Sequence, residues 1–263
     1  MVQNTILDEI AEYTKGRVED YKALISPADM KAKAESLNPE TGFPFENALR
    51  KDKISFICEV KKASPSKGII CGDFPYMKIA LDYEAAGADA ISVLTEPNWF
   101  LGNDSYLSTI RSAVTIPVLR KDFTVDEYMI YQAKVLGADA VLLIVSLLSD
   151  DQLCEYLDIA DTLGLSALTE CHDESEIETA ISLGARLIGV INRNLRNFSV
   201  NPLNALSLRD KVPSGILFVS ESGISERSQV ETLEQNGVDA VLVGETLMKS
   251  EDKKSCLRYL RGI

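Results

Sequence analysis

Histidine is almost absent from this chain, and its cysteines are not arranged in pairs. The 263 residues contain a single histidine, His172, and five cysteines without a Cys-x-x-Cys pair. Structural zinc sites use clustered Cys and His ligands at short, regular spacings, and these residues cannot supply such a cluster. The Gly-x-Ser-x-Gly motif of serine hydrolases is also missing. We therefore predict no metal site, and we interpret the cysteines as reduced thiols of a cytoplasmic protein.

Positive charge and long apolar runs are also scarce. The chain has 27 Lys and Arg residues against 40 Asp and Glu, which gives a formal net charge of −13. Such a charge repels nucleic-acid phosphates and anionic lipids, and the longest apolar run, at residues 140–148, is too short to span a bilayer. We therefore expect no nucleic-acid partner and no membrane partner, and any anionic ligand must be bound by local chemistry.

An internal repeat with a period of about fifty residues organises the sequence. In each copy a glycine suits the left-handed position that ends a helix, and the β-branched run after it suits a strand buried on both faces. The copies read GADAISVL, GADAVLLI, GARLIGVI and GVDAVLVG, and they begin at Gly87, Gly137, Gly184 and Gly237. Further apolar runs lie between them, namely ISFICEVK from Ile54, TIPVLRK from Thr115, LSALTE from Leu165 and ILFVSES from Ile216.

Segments between these runs carry apolar residues at helical spacing, as in VDEYMIYQAKVLGADA. The pattern is therefore strand–helix repeated eight times, and with right-handed crossovers it predicts an α/β fold, the closed (β/α)8 TIM barrel. Residues 1–50 precede the first strand and include the amphipathic pattern ILDEIAEYTKGRVEDYKAL, followed by the Pro- and Gly-marked NPETGFPF. We expect residues 1–263 to form a single domain in which residues 1–50 are a helical extension packed on the barrel.

The C-terminal ends of the predicted strands are strongly polar, and active sites of (β/α)8 barrels lie at these ends. Side chains alternate across a strand, so these charged residues share a face with apolar residues that would point into the barrel. We therefore expect two lysines and three glutamates to meet in the barrel mouth, namely Glu59, Lys61, Lys121, Glu170 and Glu221.

Two interpretations of this cluster are open. The charges can form a structural layer of ion pairs, or they can form an acid–base site with shifted pKa values. Several separate strands end in this way, which favours the site. With one histidine in the chain, acid–base chemistry at neutral pH falls to lysine and glutamate. His172 is expected at a loop surface rather than in catalysis.

Two glycine-containing loops follow the seventh and eighth predicted strands, SESGIS at residues 220–225 and VGETLM at residues 243–248. Backbone N–H groups of such loops bind phosphate in many barrels. Each of these glycines, Gly223 and Gly244, can be explained on its own by a tight turn. Their joint position after the last two strands favours a phosphorylated substrate.

Several motifs in this arrangement resemble the indole-3-glycerol-phosphate synthase family over essentially the whole chain. They are CEVKKASPSKG (58–68), ISVLTE (91–96), LRKDF (119–123), the LTE that ends at Glu170, RNL (193–195) and SESGI (220–224). The resemblance implies a lyase of tryptophan biosynthesis, which closes the indole ring of a phosphorylated anthranilate-derived substrate with loss of carbon dioxide and water. It implies no cofactor, and other enzymes of tryptophan biosynthesis are candidate partners.

The resemblance also implies roles for individual residues. Lys121 would be the general acid that protonates the substrate carbonyl, Lys61 would hold the anthranilate carboxylate or share the acid role, Glu170 would act in dehydration, and Glu59 would tune the lysines. The resemblance implies that the substrate is contacted by Ser64, Arg193, Glu221 and Ser222. A phosphate cradle is implied for Gly223, Gly244 and, through its backbone, Glu245. An apolar slot that holds the aromatic ring would be formed by Phe100, Phe123, Leu142 and Leu195.

One position departs from the family pattern. The family reads IGVNNRNL or close to it, whereas residues 188–195 here read IGVINRNL, so that Ile191 replaces an asparagine that hydrogen-bonds the substrate. This replacement leaves open a weakly active enzyme, or a barrel that binds a phosphorylated metabolite without turning it over. A phosphoribosylanthranilate isomerase and a Schiff-base aldolase are alternative enzymes, and the helical extension and the second lysine argue against the isomerase.

Overall fold

A closed barrel of parallel strands forms the centre of the molecule, which is described here from a computed structural model. The structure describes residues 5–193, 199–201 and 203–263. The barrel strands are β1 (Ser55–Val60), β2 (Ala90–Leu94), β3 (Val118–Lys121), β4 (Ala140–Ile144), β5 (Ser166–Cys171), β6 (Leu187–Ile191), β7 (Leu217–Glu221) and β8 (Ala240–Val243). Each strand pairs with the next one along the chain, and β1 pairs with β8. The predicted (β/α)8 barrel is confirmed.

Helices surround the barrel and cover its ends. They are α1 (Ile6–Leu24), α2 (Pro27–Glu35), α3 (Pro44–Leu49), α4 (Tyr76–Ala85), α5 (Asp104–Ala113), α6 (Tyr128–Leu136), α7 (Asp150–Thr162), α8 (Glu174–Ser182), α9 (Asn204–Arg209), α10 (Arg227–Gln235), α11 (Glu245–Lys249) and α12 (Lys253–Arg261). A short antiparallel hairpin in the loop after β1 pairs Ala63–Ser64 with Gly68–Ile69.

Side chains of each strand alternate between the barrel interior and the layer of helices, which gives two apolar cores. The interior core includes Ile57, Leu119, Leu142, Leu168, Val219 and Leu242. The outer core, between strands and helices, includes Phe56, Val93, Val141 and Phe218. The repeat glycines end helices as predicted, because Gly87, Gly137, Gly184 and Gly237 have φ values of 93°, 88°, 92° and 74°.

The segment before β1 covers both ends of the barrel. Leu7 of α1 and Phe45 and Leu49 of α3 belong to the interior core. α3 lies at the base, because Ser55 at the start of β1 donates its hydroxyl to the Leu49 carbonyl, whereas the start of α1 lies at the mouth. That residues 1–50 are an extension of a single domain stays a prediction, which these contacts support.

None of the described helices combines the length and the apolarity that crossing a bilayer would require.

Candidate active site

The mouth of the barrel holds a layer of charged side chains from the odd-numbered strands. Glu59, Lys121, Glu170 and Glu221 continue the inward faces of β1, β3, β5 and β7. Lys121 Nζ lies 2.8 Å from Glu170 Oε2 and 3.0 Å from Glu221 Oε2. Alternate strands of a (β/α)8 barrel contribute the side chains of one layer, so the barrel geometry itself brings these charges together.

Lys61 is the second lysine of the mouth, and it pairs with Glu59. Its Nζ lies 2.5 Å from Glu59 Oε1. A Cβ atom at Gly244 would collide with Glu59 Oε1 and lie 3.1 Å from Lys61 Nζ. Glycine at position 244 therefore makes room for this ion pair, a reason that the loop pattern alone did not indicate.

The protonation state of Lys121 is set by its neighbours. Burial by itself would lower the pKa of Lys121, but the carboxylates of Glu170, Glu221 and Glu59 outweigh burial and hold the pKa well above its ordinary value. Lys121 is therefore a charged proton donor at neutral pH.

The pKa values of the two carboxyl groups beside Lys121 are shifted in opposite directions. Burial, together with the negative charge of Glu170, raises the pKa of Glu221 to about 7 against the attraction of Lys121. For Glu170, burial works in the same direction, but Lys121 and then His172 outweigh it and leave the pKa below its usual value. Two like charges that share one lysine titrate as a pair, so burial and mutual repulsion make this pair hold a proton more tightly than a free carboxyl group does.

Glu221 also has a carboxylate oxygen that accepts no hydrogen bond from the described residues. This oxygen, Oε1, is buried. A Cβ atom at Gly189 on β6 would collide with this oxygen, so the glycine of the neighbouring strand leaves space for the carboxyl group. An unpaired buried acceptor is costly, and a ligand donor in the cavity can satisfy it.

An apolar slot lies beside the charged layer. The rings of Phe100 and Phe123 are 5.8 Å apart between centroids, and both line the same cavity as Lys121, together with Leu142 and Ile191. The structure therefore brings the predicted slot residues Phe100, Phe123 and Leu142 together. Leu195, the remaining predicted slot residue, lies outside the described residues.

The opposite end of the cavity is polar and contains the two glycine loops. Ser222 and Gly223 have consecutive positive φ values of 74° and 81°, and Gly244 and Glu245 line the same recess. Ser64, from the hairpin after β1, lines the adjoining part of the cavity. The predicted phosphate-cradle residues thus lie together at the mouth.

Cations also surround this glycine-rich end, and the Glu245 carboxylate occupies the space between them. Its oxygens lie 2.6 Å from Lys249 Nζ, 3.6 Å from Lys67 Nζ and 3.8 Å from the Arg193 guanidinium. The sequence interpretation gave Glu245 a backbone role only and did not include Lys67, although this lysine lies in the CEVKKASPSKG motif.

Sequence reasoning also missed the contribution of the extension. Ile6, Leu7 and Ile10 of α1 line the cavity beside the apolar slot. The helical pattern predicted the helix and its apolar face, but the pattern could not indicate that this face covers the barrel mouth.

Ile191, which departs from the family pattern, lines the cavity at the end of β6, opposite Glu221 on β7. The next side chain, Asn192, serves the fold. Its Nδ2 donates to Ser220 Oγ at 2.9 Å, and its Oδ1 accepts the Ala205 N–H at 3.1 Å. Asn192 is therefore held in place by the fold, and we expect that it does not substitute for an amide at position 191.

His172 directly follows β5 in the loop before α8, where its side chain is partly exposed, with Nδ1 2.9 Å from Glu176 Oε2. Among the residues that the structure describes, no group of three or more His, Cys, Asp or Glu side chains is arranged to hold a metal ion. The expected absence of a metal ion and of a cofactor stays a prediction.

The fold and the mouth define the class of this protein as a (β/α)8-barrel enzyme whose active-site end carries paired lysines and glutamates. The family model described as indole-3-glycerol phosphate synthase matches residues 7–260. The chain belongs to this family.

Similar proteins agree with this assignment. The indole-3-glycerol phosphate synthase of Ruminiclostridium cellulolyticum is 55% identical over 257 residues, which cover 98% of this chain and 99% of the relative. The enzyme of the same name from Leuconostoc mesenteroides is 51% identical, over 98% of this chain and 99% of the relative. Among solved structures, a 3-hexulose-6-phosphate synthase has a TM-score of 0.65 at 14% identity, over 80% of this chain and 99% of that chain, which supports the fold alone.

Proposed function

We propose that the chain has indole-3-glycerol phosphate synthase activity. It converts 1-(2-carboxyphenylamino)-1-deoxyribulose 5-phosphate to indole-3-glycerol phosphate in tryptophan biosynthesis. Carbon dioxide and water leave, so the enzyme is a carboxy-lyase. The observation that carries the proposal is the position of the Lys121, Glu170 and Glu221 cluster between an apolar slot and a glycine-rich, cation-lined end. A substrate with an aromatic ring at one end, a phosphate at the other and a carbonyl between them fits this order.

In the first stage, Lys121 donates a proton to the substrate carbonyl oxygen while the aromatic carbon that bears the carboxylate attacks the carbonyl carbon. The carboxylate then leaves as carbon dioxide, and its bonding electrons restore the aromatic ring. The slot that contains Phe100 and Phe123 holds the ring and excludes water. Lys61 lines both the slot and the glycine-rich end. It binds the anthranilate carboxylate or shares the acid role. The Glu59 carboxylate adjusts the electrostatic environment of both lysines.

In the second stage, Lys121, reprotonated through Glu221, donates a proton to the new hydroxyl group so that it leaves as water, and Glu170 removes a proton from the ring system to complete the indole. Glu170 lies 2.8 Å from Lys121 Nζ, so a base and an acid are adjacent for this elimination. Glu221, with its pKa raised to about 7 by burial and an unpaired oxygen, contacts the substrate and exchanges a proton with Lys121.

At the phosphate end, the proposal assigns the backbone of Gly223, Gly244 and Glu245 to the phosphate oxygens. Ser64, Ser222 and Arg193 complete the substrate contacts. The bend at Ser222 and Gly223, where both φ values are positive, supports this assignment, because successive backbone N–H groups in turns can form anion-binding concavities.

The protonation of Lys121 argues against a Schiff-base aldolase. A lysine that forms a Schiff base must be neutral, and such lysines have lowered pKa values, whereas the neighbouring carboxylates hold the pKa of Lys121 above its ordinary value. Borohydride treatment in the presence of a ketose phosphate is therefore expected to leave the protein without a covalent adduct.

The test is to mix the purified protein with the substrate and to follow indole fluorescence. We expect the signal to appear and to survive an excess of chelator, because lysine and glutamate supply the acid–base chemistry. Absence of product from a sample that circular dichroism shows to be folded would refute the enzyme proposal. Tight binding of a reduced substrate analogue without turnover would instead support a non-catalytic barrel, the alternative that Ile191 suggests.

The proposal also includes a reducing, cytoplasmic setting, which the five unpaired cysteines support. Association with other enzymes of tryptophan biosynthesis stays a prediction.

A further inference from the structure

The loop that follows β2 carries Phe100 and has a distinctive internal structure. This segment, residues 96–102, is called the Glu96 loop below. It begins at the last residue of the ISVLTE motif, to which neither the sequence nor the proposed reaction gives a role. Glu96 is fully buried, and it does not line the cavity that contains Lys121.

The Glu96 carboxylate is surrounded by backbone N–H groups of its own loop. Oε1 accepts the N–H of Asn98 at 2.8 Å, and Oε2 accepts those of Trp99 at 2.7 Å and Phe100 at 2.9 Å. The Glu96 carbonyl also accepts the N–H of Gly102 at 2.7 Å. One side chain therefore fixes three successive peptide groups, and its backbone closes the loop.

The fixed loop contacts three separate parts of the mouth. The Phe100 ring faces Phe123, with centroids 5.8 Å apart, and the Phe100 carbonyl accepts the N–H of Ala63 in the loop after β1 at 3.2 Å. The Trp99 ring meets Tyr13 of α1 edge-on, at 5.4 Å between centroids. The slot, the loop after β1 and the helical extension thus all rest on the conformation that Glu96 imposes.

A carboxylate suits this position because it offers two acceptor oxygens and no donor. Glutamine would keep one oxygen, and its amide nitrogen would face an N–H donor. Hydrogen bonds to a charged acceptor are also shorter and stronger than neutral ones.

We propose that Glu96 is a positioning residue for the aromatic ring of the substrate, because it preorganises the Glu96 loop and so holds Phe100 against Phe123. This inference rests on the proposed function for its substrate. Lys121, Glu170 and Glu221 stand on other strands, and the hydrogen-bond partners of the Glu96 carboxylate are amides of its own loop.

The test compares Glu96→Gln with a matched control, Glu84→Gln. Glu84 at the end of α4 also accepts backbone N–H groups of a loop, those of Thr115 and Ile116 at 2.7 Å and 3.2 Å. That loop precedes β3 and lies at the end of the barrel opposite the mouth. The two variants lose the same kind of interaction at opposite ends of the molecule.

We expect Glu96→Gln to raise KM, and the Kd of the reduced substrate analogue, by about tenfold, with kcat changed by less than about threefold. Glu84→Gln is expected to lower thermal stability by a smaller amount, because its hydrogen bonds are more exposed, and to leave KM unchanged. If the two variants have the same KM within about twofold, Glu96 acts only in stability and the proposal is wrong.

A spectroscopic measurement needs no turnover. Trp99 is the only tryptophan in the chain, so its fluorescence reports on the Glu96 loop alone. Glu96→Gln should shift the Trp99 emission to longer wavelength and make it easier to quench with acrylamide, whereas Glu84→Gln should not. If the wild-type protein shows no turnover but this contrast holds, the proposed reaction fails while the loop assignment stands.

Hydrogen exchange of the unmodified protein covers the case in which Glu96→Gln does not fold. The amides of Asn98, Trp99 and Phe100 should exchange slowly before any ligand is added, because the loop is preorganised. Fast exchange that slows only when the reduced analogue binds would overturn the proposal.

Discussion

Lys121 is held between two carboxylates, so a substitution there changes the charge of the whole cluster as well as removing a proton donor. We expect Lys121→Met to lower kcat by at least about two orders of magnitude, because general-acid catalysis is worth roughly 10²–10⁴-fold. The measurement is steady-state indole fluorescence at saturating substrate.

Lys134→Met is the matched control for this substitution. Lys134 is buried and donates to the carbonyls of Asn38 and Leu163 at 2.8 Å and 2.6 Å, away from the mouth, so its loss should cost stability and leave kcat unchanged. If Lys121→Met retains more than about a tenth of the wild-type kcat, Lys61 is the acid and the assignment is wrong.

Ile191 offers no hydrogen bond to the substrate in a cavity where the family uses asparagine. A buried polar group without a partner costs roughly 1–3 kcal/mol, and about 1.4 kcal/mol corresponds to a factor of ten. We therefore expect the wild-type kcat/KM to be roughly five- to a hundredfold lower than with asparagine at this position, and Ile191→Asn to raise it by at least about fivefold.

Asn192→Ala tests the alternative that Asn192, rather than residue 191, makes the hydrogen bond to the substrate. Because Asn192 holds Ser220 and Ala205 together, its loss should lower stability more than it lowers substrate affinity. If Ile191→Asn is neutral and Asn192→Ala abolishes binding in a folded protein, the substrate contact has moved by one residue.

Single residues could be predicted from the sequence where the alternation of side chains along a strand fixes their direction. Glu59, Lys121, Glu170 and Glu221 end strands, and strand alternation directs all of them into the barrel. Glu96 also follows a strand, but its partners are backbone amides of an irregular loop. No sequence pattern specifies that geometry, so its contacts became visible only in the structure.

At the scale of elements, Gly244 in the turn from β8 into α11 lies beside two features, the glycine-rich end of the cavity and the Glu59–Lys61 ion pair. We expect Gly244→Ala to lower kcat as well as to raise KM, each by at least about tenfold, because the new Cβ atom collides with the Glu59 carboxylate that pairs with Lys61. Initial rates over a range of substrate concentrations give both constants.

Gly16→Ala is the control for the same chemical change. Gly16 lies in α1 with no atom within 4 Å of the added Cβ, so alanine should be neutral or stabilise the helix by up to about 1 kcal/mol. If Gly244→Ala raises KM and leaves kcat intact, the glycine serves only the phosphate end.

The barrel strands could be predicted because each one is an apolar run preceded by a helix-ending glycine or a turn. α3 and the hairpin after β1 were not predicted. α3 begins within a Pro- and Gly-containing segment that resembles a loop, and Phe43 before it has a left-handed φ of 52°. The hairpin pairs only two residues on each side, which is too short for an alternation pattern.

At the scale of the whole molecule, a buried ion pair ties the extension to the active site. Arg17 of α1 donates to Asp122 Oδ1 at 2.7 Å, and Asp122 lies between Lys121 and Phe123. Burial by itself would raise the pKa of Asp122, but Arg17 and Arg120 outweigh burial and hold the pKa below its usual value. The sequence predicted that the extension packs on the barrel, but a contact across about a hundred residues has no local signature.

We expect Arg17→Met to lower the free energy of unfolding near neutral pH by about 3 kcal/mol, because it leaves the buried Asp122 carboxylate without its main partner. A depressed pKa contributes stability above the unfolded value, and this contribution is lost as the pH falls through the folded value. The difference between wild type and variant should therefore shrink below about pH 4 in urea titrations.

Lys15→Met on the same helix is the control, since Lys15 forms an exposed pair with Glu12 at 3.4 Å. Such a pair contributes less than about 1 kcal/mol. Equal losses in the two variants would show that the Arg17–Asp122 pair adds nothing beyond a surface contact.

The order of the strands around the barrel has a consequence for how the chain assembles during synthesis. Strands β2 to β7 can each pair with the preceding strand as the chain is synthesised, but β1 waits for Ala240–Val243 before its second edge is paired. Until then β1 and β7 both expose unpaired backbone groups, which are templates for aggregation. A nascent chain that stalls between β7 and β8 therefore has nearly all of its structure and two open edges, and this is the stage at which a chaperone would protect it most.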